Sequence, residues 1–180
     1  METFIEEKSL IENPSFNKHR KMALGELSFD DIDKPIVEVI KKITSISYCF
    51  TLQSCYGHFL YGGQKDPHNI EPVSLNARDQ EVEYRIAYIA ICVKNNSRGR
   101  KLLEDISKIP SIDQKNIQYG SAEWFWERQI NSFVVQVEPE RFKWQDRCVV
   151  GYTEAIKLEE VRSLFWQEIN EIVDKHIDGF

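Results

Sequence analysis

The stretch Glu81-Val-Glu-Tyr-Arg-Ile-Ala-Tyr-Ile-Ala-Ile-Cys-Val93 constrains the fold more than any other. It begins by alternating apolar and polar side chains and ends continuously apolar, the pattern of a central strand covered on both faces. A sheet built on such a strand needs other elements packed against it. The chain supplies both strands and helices. Tyr48-Cys-Phe-Thr-Leu52 is aromatic, β-branched and short, which predicts a strand. Ile117-Gln-Tyr-Gly-Ser opens a third strand, and Phe133-Val-Val-Gln-Val137 is a fourth, closed by Glu138-Pro139. The intervening 122–130 segment reads as either a wide hairpin tip or a short helical turn, and 141–150 carries no clear pattern.

Helical signals surround these strands. Phe16, Arg20, Leu24 and Leu27 recur at helical spacing. Asp33 and Pro35 mark a helix start, with Asp33 as cap, and Ile36, Val37, Ile40 and Ile43 form its buried stripe to about Ser45. Asn95-Asn-Ser97 caps a further helix through Leu102, Leu103, Ile106 and Ile109, which Pro110 stops. From about Thr153 a long amphipathic helix runs to the end, with Leu158, Val161, Leu164, Phe165, Ile169, Ile172 and Val173 on one face. The expected fold is α+β: a mixed sheet of about four or more strands packed with helices, a long C-terminal helix, and one domain over 1–180.

Composition narrows the function. A net charge of −6 argues against non-specific nucleic-acid binding, though a local basic patch is compatible with it. No apolar run approaches the roughly 18 residues that a membrane span needs. The N-terminus is acidic, without a signal-peptide pattern, and the four cysteines show no disulfide-like spacing. A cytoplasmic protein is expected.

The candidate site lies where the first strand ends. The apolar run feeds into Gln53, Ser54, Cys55, Gly57 and His58, a cluster of small and polar groups. Gly57 lets the backbone turn or approach a ligand, while Ser54, Cys55 and His58 supply polar atoms. The bland alternative is a free Cys beside an ordinary turn. The polar stretch from Gly62 to about Gln80 is long for a connection, which marks a functional or a disordered loop. Cys55 and His58 offer two zinc ligands, but no second close pair of Cys or His completes a structural site, so no metal is expected. Cys55 with His58 or His68 as base would make a nucleophile, yet no cysteine-hydrolase signature accompanies it. Lys18, Arg20 and Lys21 put cations on the outer side of the first helix, by default a solvated face. Trp124 and Trp126 are candidate stacking rings, or else core or interface anchors. His19 and His176, on helices, are expected to do no more than meet solvent or bond locally.

Two of these segments carry a resemblance. Asp33-Lys-Pro-Ile-Val-Glu-Val-Ile-Lys-Lys-Ile43 and Phe50-Thr-Leu-Gln-Ser-Cys-Tyr-Gly-His58, preceded by the basic segment from Phe16 to Lys21, resemble the N-terminal region of the wybutosine-synthesising protein 3 family. Thr51, Ser54, Cys55 and Gly57 match that family's loop position by position. His58 stands where the family has Arg, and Gln53 where it usually has Ser. The resemblance spans about residues 15–60. It implies an S-adenosylmethionine-dependent methyltransferase acting on a tricyclic guanosine beside a tRNA anticodon. Gln53, Ser54, Cys55, Gly57 and His58 would then belong to the substrate or cofactor pocket. Lys18, Arg20 and Lys21 would hold phosphate, and Trp124 or Trp126 would stack on a base. The alternative is a non-enzymatic ligand-binding or interaction protein on the same scaffold, with Phe165 and Trp166 of the last helix available for a homodimer.

Overall fold

A computed structural model describes residues 7–64, 66–142 and 146–178. Along the chain run α1 (Phe16–Glu26), α2 (Val37–Ser45), β1 (Cys49–Cys55), β2 (His58–Leu60), β3 (Glu81–Arg85) and β4 (Ala87–Val93). There follow α3 (Ser97–Ile106), β5 (Ile117–Gly120), α4 (Glu123–Arg128), β6 (Ser132–Val137), β7 (Arg147–Gly151) and α5 (Tyr152–Asp178). The α+β class and the long C-terminal helix are as the sequence indicates. The strands, however, divide between two sheets, ordered β1-β4-β6-β5 and β2-β3-β7, and every pairing is antiparallel.

That division corrects the reading of 81–93 as one strand. The chain breaks at Ile86, whose N–H bonds the Asp146 carbonyl, and passes from the smaller sheet into the larger. The alternating part, Glu81–Arg85, has one face buried. The continuously apolar part is the central strand covered on both sides. The unassigned 141–150 segment contributes β7, and 123–128 forms the short helix α4.

Side-chain alternation sorts the two faces of the larger sheet. Ile89, Ile91, Phe133, Val135 and Val137 point into the main core, where they meet Ile40 and Ile43 of α2, Leu102 of α3, and Phe165 and Ile169 of α5. Phe50, Ala90, Cys92 and Val134 point the other way, toward Phe16 of α1 and Phe125 of α4. Helices thus cover both faces. Phe165 and Trp166 are buried in this core, so the pair considered for a dimer contact is consumed within the chain. His176 is also buried. Its Nδ1 lies 2.8 Å from the Tyr48 hydroxyl and its Nε2 3.2 Å from Asp105, so it joins α5 to the neighbouring elements rather than meeting solvent.

α1 is held to the core by its one buried residue, Phe16, and by Arg20. The guanidinium donates to the Thr44 carbonyl at 2.6 Å and the Cys49 carbonyl at 3.2 Å, satisfying acceptors at the end of α2 and the start of β1. Arg20→Ala is therefore expected to cost about 1–3 kcal/mol in urea unfolding, the usual worth of hydrogen bonds from a charged group. Lys18→Ala and Lys21→Ala, both exposed, should stay within about 0.5 kcal/mol of wild type.

Candidate functional site

Between β1 and β2 the chain leaves one sheet and enters the other, and the two linking residues, Tyr56 and Gly57, pair with no strand. Their polar backbone groups are instead satisfied by side chains from distant elements. The Tyr56 N–H donates to Asp33 Oδ2 at 2.8 Å, the Tyr56 carbonyl accepts from Trp166 Nε1 at 3.0 Å, and the Gly57 carbonyl accepts from Arg162 at 2.7 Å. Arg162 is 3 % exposed, and its guanidinium lies 4.2 Å from the centre of the Tyr56 ring. Gly57 has φ +93°, and a Cβ there would stand 2.8 Å from that of Ala87. Both the left-handed backbone and the close approach require glycine.

This turn presents His58. The imidazole is 2 % exposed. Its Nδ1 lies 3.0 Å from the Asn69 carbonyl, an acceptor only, so Nδ1 carries hydrogen and donates. Nε2 lies 3.2 Å from Asp33 Oδ2, but at an angle that makes this an ion-pair contact rather than an aligned hydrogen bond. His68, exposed on the 61–80 connection, packs edge-on against His58 and brings its Nδ1 to 4.0 Å from Asp33 Oδ1. Burial alone would push the His58 pKa down. The Asp33 carboxylate and Cys55 beside it overcome this and lift it to about 10. Burial likewise opposes ionisation of Asp33, and His58 together with the Tyr56 N–H outweighs it, holding the carboxyl below its ordinary range.

The sequence-derived candidates fall into three places. Cys55 and His58 join Asp33, while Gln53 is exposed on β1, opposite Ala90, and Cys55 is opposite Tyr88. Ser54 is half-buried on β1. Asp33, expected as a helix cap, makes no capping bond, because its carboxylate is spent on the turn. Lys18 and Lys21 are exposed on α1, whereas Arg20 is engaged by backbone carbonyls. Trp124 is 48 % exposed beneath Arg128, while Trp126 packs edge-on against Phe133. Cys49, Cys92 and Cys148 are buried, and burial pushes all three thiols up, to about 12 for the last two.

A groove of about 490 Å³ runs between α1 and α4, floored by Phe50, Thr51 and Leu52 of β1 and walled by His19, Met22, Phe125 and Arg128. Its volume falls in the range of small-molecule sites. Cys55 lies three residues further along the same strand, about 10 Å away at the usual rise per residue.

No family model matches the chain, and no curated protein does. Two solved structures of PH1069 protein from Pyrococcus horikoshii superpose with a TM-score of 0.51, at 16% and 19% identity. They cover 92% and 93% of this chain and, in each case, 95% of the other. A hypothetical protein from Aeropyrum pernix aligns at a TM-score of 0.39 and 17% identity over 78% of this chain and 98% of its own. The likeness to PH1069 establishes the fold alone.

Asp33, Asn69 and Arg162 were not legible as site residues. Arg162 had a usable signal, being a cation set within the apolar stripe Leu158, Val161 and Phe165. The other two had none.

Because the His58 pKa is raised above its ordinary 6.5, its contribution to stability is complete below pH 6.5 and is lost as pH rises through about 10. That of Asp33, lowered below 3.8, is complete above pH 3.8 and lost as pH falls through its folded value. The pair therefore stabilises most between pH 3.8 and 6.5. In NMR titration the His58 ring should stay protonated through neutral pH, and in Asp33→Asn its midpoint should fall, because the carboxylate that most strongly opposes burial is gone. A wild-type midpoint at the ordinary value would refute the pairing.

Proposed function

We propose that this chain is an S-adenosylmethionine-dependent methyltransferase-like protein related to tRNA wybutosine synthesis, with its substrate or cofactor pocket at Gln53–His58. One observation carries the reading. The two segments that resemble the wybutosine-synthesising protein 3 family, one containing Asp33 and the other ending at His58, meet at the Asp33 carboxylate, which contacts both the Tyr56 N–H and His58 Nε2. The third segment, α1, walls the groove that ends on β1 beside it. His58, held protonated by Asp33, keeps a positive charge where the family has Arg, so that departure preserves the charge of the loop.

The apolar floor of Phe50 and Leu52, with Phe125 and Arg128 on the wall, fits the flat face of a nucleobase. A bound sulfonium cofactor would supply an activated methyl group. The task left to the chain is to orient donor and acceptor and to exclude water. Lys18 and Lys21 remain for phosphate contacts. With Arg20 withdrawn into the α2–β1 junction, that patch is reduced to two cations. This favours, as the second reading, a protein that binds a small nucleotide-like ligand without catalysis.

Thermal unfolding with and without S-adenosylmethionine, and separately with S-adenosylhomocysteine, tests the assignment. At about 100 times the dissociation constant a ligand adds roughly 2.7 kcal/mol, which for a domain of this size raises the midpoint by about 5–10 °C. The shift should shrink in Leu52→Glu, which puts a charge on the groove floor. No shift with either ligand at millimolar concentration would remove the cofactor assignment and leave the binding-protein reading.

A further inference from the structure

We infer that Asp33, His58 and His68 form a binding site for a divalent transition-metal ion of the zinc type, with two imidazole nitrogens and one carboxylate as ligands. The sequence pointed elsewhere, because Cys55 and His58 are the only close pair in the chain order and two ligands do not make a site. Folding instead joins His58 to Asp33, 25 residues earlier, and to His68 in the following connection. His58 Nε2, His68 Nδ1 and the Asp33 carboxylate lie within 4.8 Å of one another.

The tautomer of His58 is the deciding feature. The Asn69 carbonyl accepts the Nδ1 hydrogen, so the neutral ring turns a lone pair on Nε2 toward Asp33 Oδ2. A lone pair facing a carboxylate needs a positive charge between them. In the metal-free protein a proton on Nε2 supplies it, though the contact stops short of aligned hydrogen-bond geometry and leaves Nε2 a buried nitrogen without such a partner. A metal ion is well placed. Zinc bonds of about 2.0–2.1 Å to nitrogen and oxygen at tetrahedral angles set donor atoms about 3.3 Å apart, and the Nε2 to Oδ2 separation is 3.2 Å.

The second carboxylate oxygen faces His68, whose Nδ1 is 4.0 Å away and whose side chain is 77% exposed. The three donors lie within 4.8 Å of one another, so bringing them to about 3.3 Å takes a movement of no more than about 1.5 Å by a ring with room to move. The surroundings match what a ligating His requires. A backbone carbonyl fixes the far nitrogen, and the Tyr56 N–H orients the carboxylate at 2.8 Å. Two imidazoles with one carboxylate select zinc or a neighbouring transition ion over calcium or magnesium, which prefer all-oxygen shells. Three protein ligands leave a fourth position for water or a substrate atom, the arrangement of catalytic rather than structural sites.

The site can be tested without the methyl-donor assignment. Chelator-treated protein is titrated with Co²⁺, read by visible absorption, and with Zn²⁺ against a chromophoric chelator. Wild type should bind one equivalent of Co²⁺ with the intense bands of low-coordinate cobalt, and Zn²⁺ should displace it. His68→Ala removes an exposed side chain, so the protein should stay folded. Losing a direct ligand should weaken binding by more than the roughly 10–100-fold typical of losing a supporting partner. Asp33→Asn, checked for folding by circular dichroism, should also lose the bands. Absence of stoichiometric binding by folded wild type, or equal affinity in His68→Ala, would overturn the site. A thermal shift with S-adenosylmethionine that survives metal removal would leave the two proposals standing apart.

Discussion

A backbone that changes sheets cannot keep its ladder hydrogen bonds, and this protein is organised around paying that cost once, at Tyr56-Gly57. The two carbonyls are buried or nearly so, and each needs a donor from elsewhere. Trp166 and Arg162 of α5 provide the donors, and Asp33, just before α2, accepts the Tyr56 N–H. Two segments far apart in the chain, the one before α2 and α5, thus converge on two residues. A buried Arg costs desolvation, which here is offset by a carbonyl, Glu159 and the face of Tyr56. His58 follows immediately and inherits this setting. The group with chemical capacity sits next to the best-anchored turn in the molecule.

The charge balance follows from the same geometry. Arg162 and Asp33 enter the region from opposite sides, and His58 lies on the Asp33 side. Carboxylate and imidazole then share a small volume in which each shift is set by burial against the other's charge. Across the sheet, Tyr88 of β4 stands opposite Cys55, so the end of β1 is matched on β4 by a further polar side chain. The apolar end of β1 floors the groove under α1 and α4. One strand therefore joins a surface suited to a flat apolar ring to a cluster suited to charge.

The helices serve this strand unequally. α2, α3 and α5 cover the inner face of the larger sheet largely with aliphatic side chains. α1 and α4 cover the outer face only in part, α1 through Phe16 and the Arg20 latch, α4 through Phe125. Incomplete cover on that side is what creates the groove. Arg20 shows how a basic run can mislead: of three adjacent cations, one is structural, because the end of α2 and the start of β1 both present carbonyls that lack a helix or strand partner.

Local pattern by itself determined the class of fold, the three earlier helices though not their ends (the third is expected through Ile109 and stops at Ile106), the long last helix, and the strands whose periodicity is strong. It also picked out the stretch from Gln53 to His58, because small and polar residues after an apolar run are visible without knowing what they touch. It could not show that 81–93 breaks at Ile86, since an alternating and a continuous strand run together as letters and only the partners, β2 with β7 on one side and β1 with β6 on the other, separate them. Nor could it show that Asp33 leaves its expected capping role for a turn 23 residues later, or that Asn69 fixes the His58 tautomer. Periodicity reports which face of an element is buried. Which side chains meet across elements is decided by packing, and the candidate site is made entirely of such meetings.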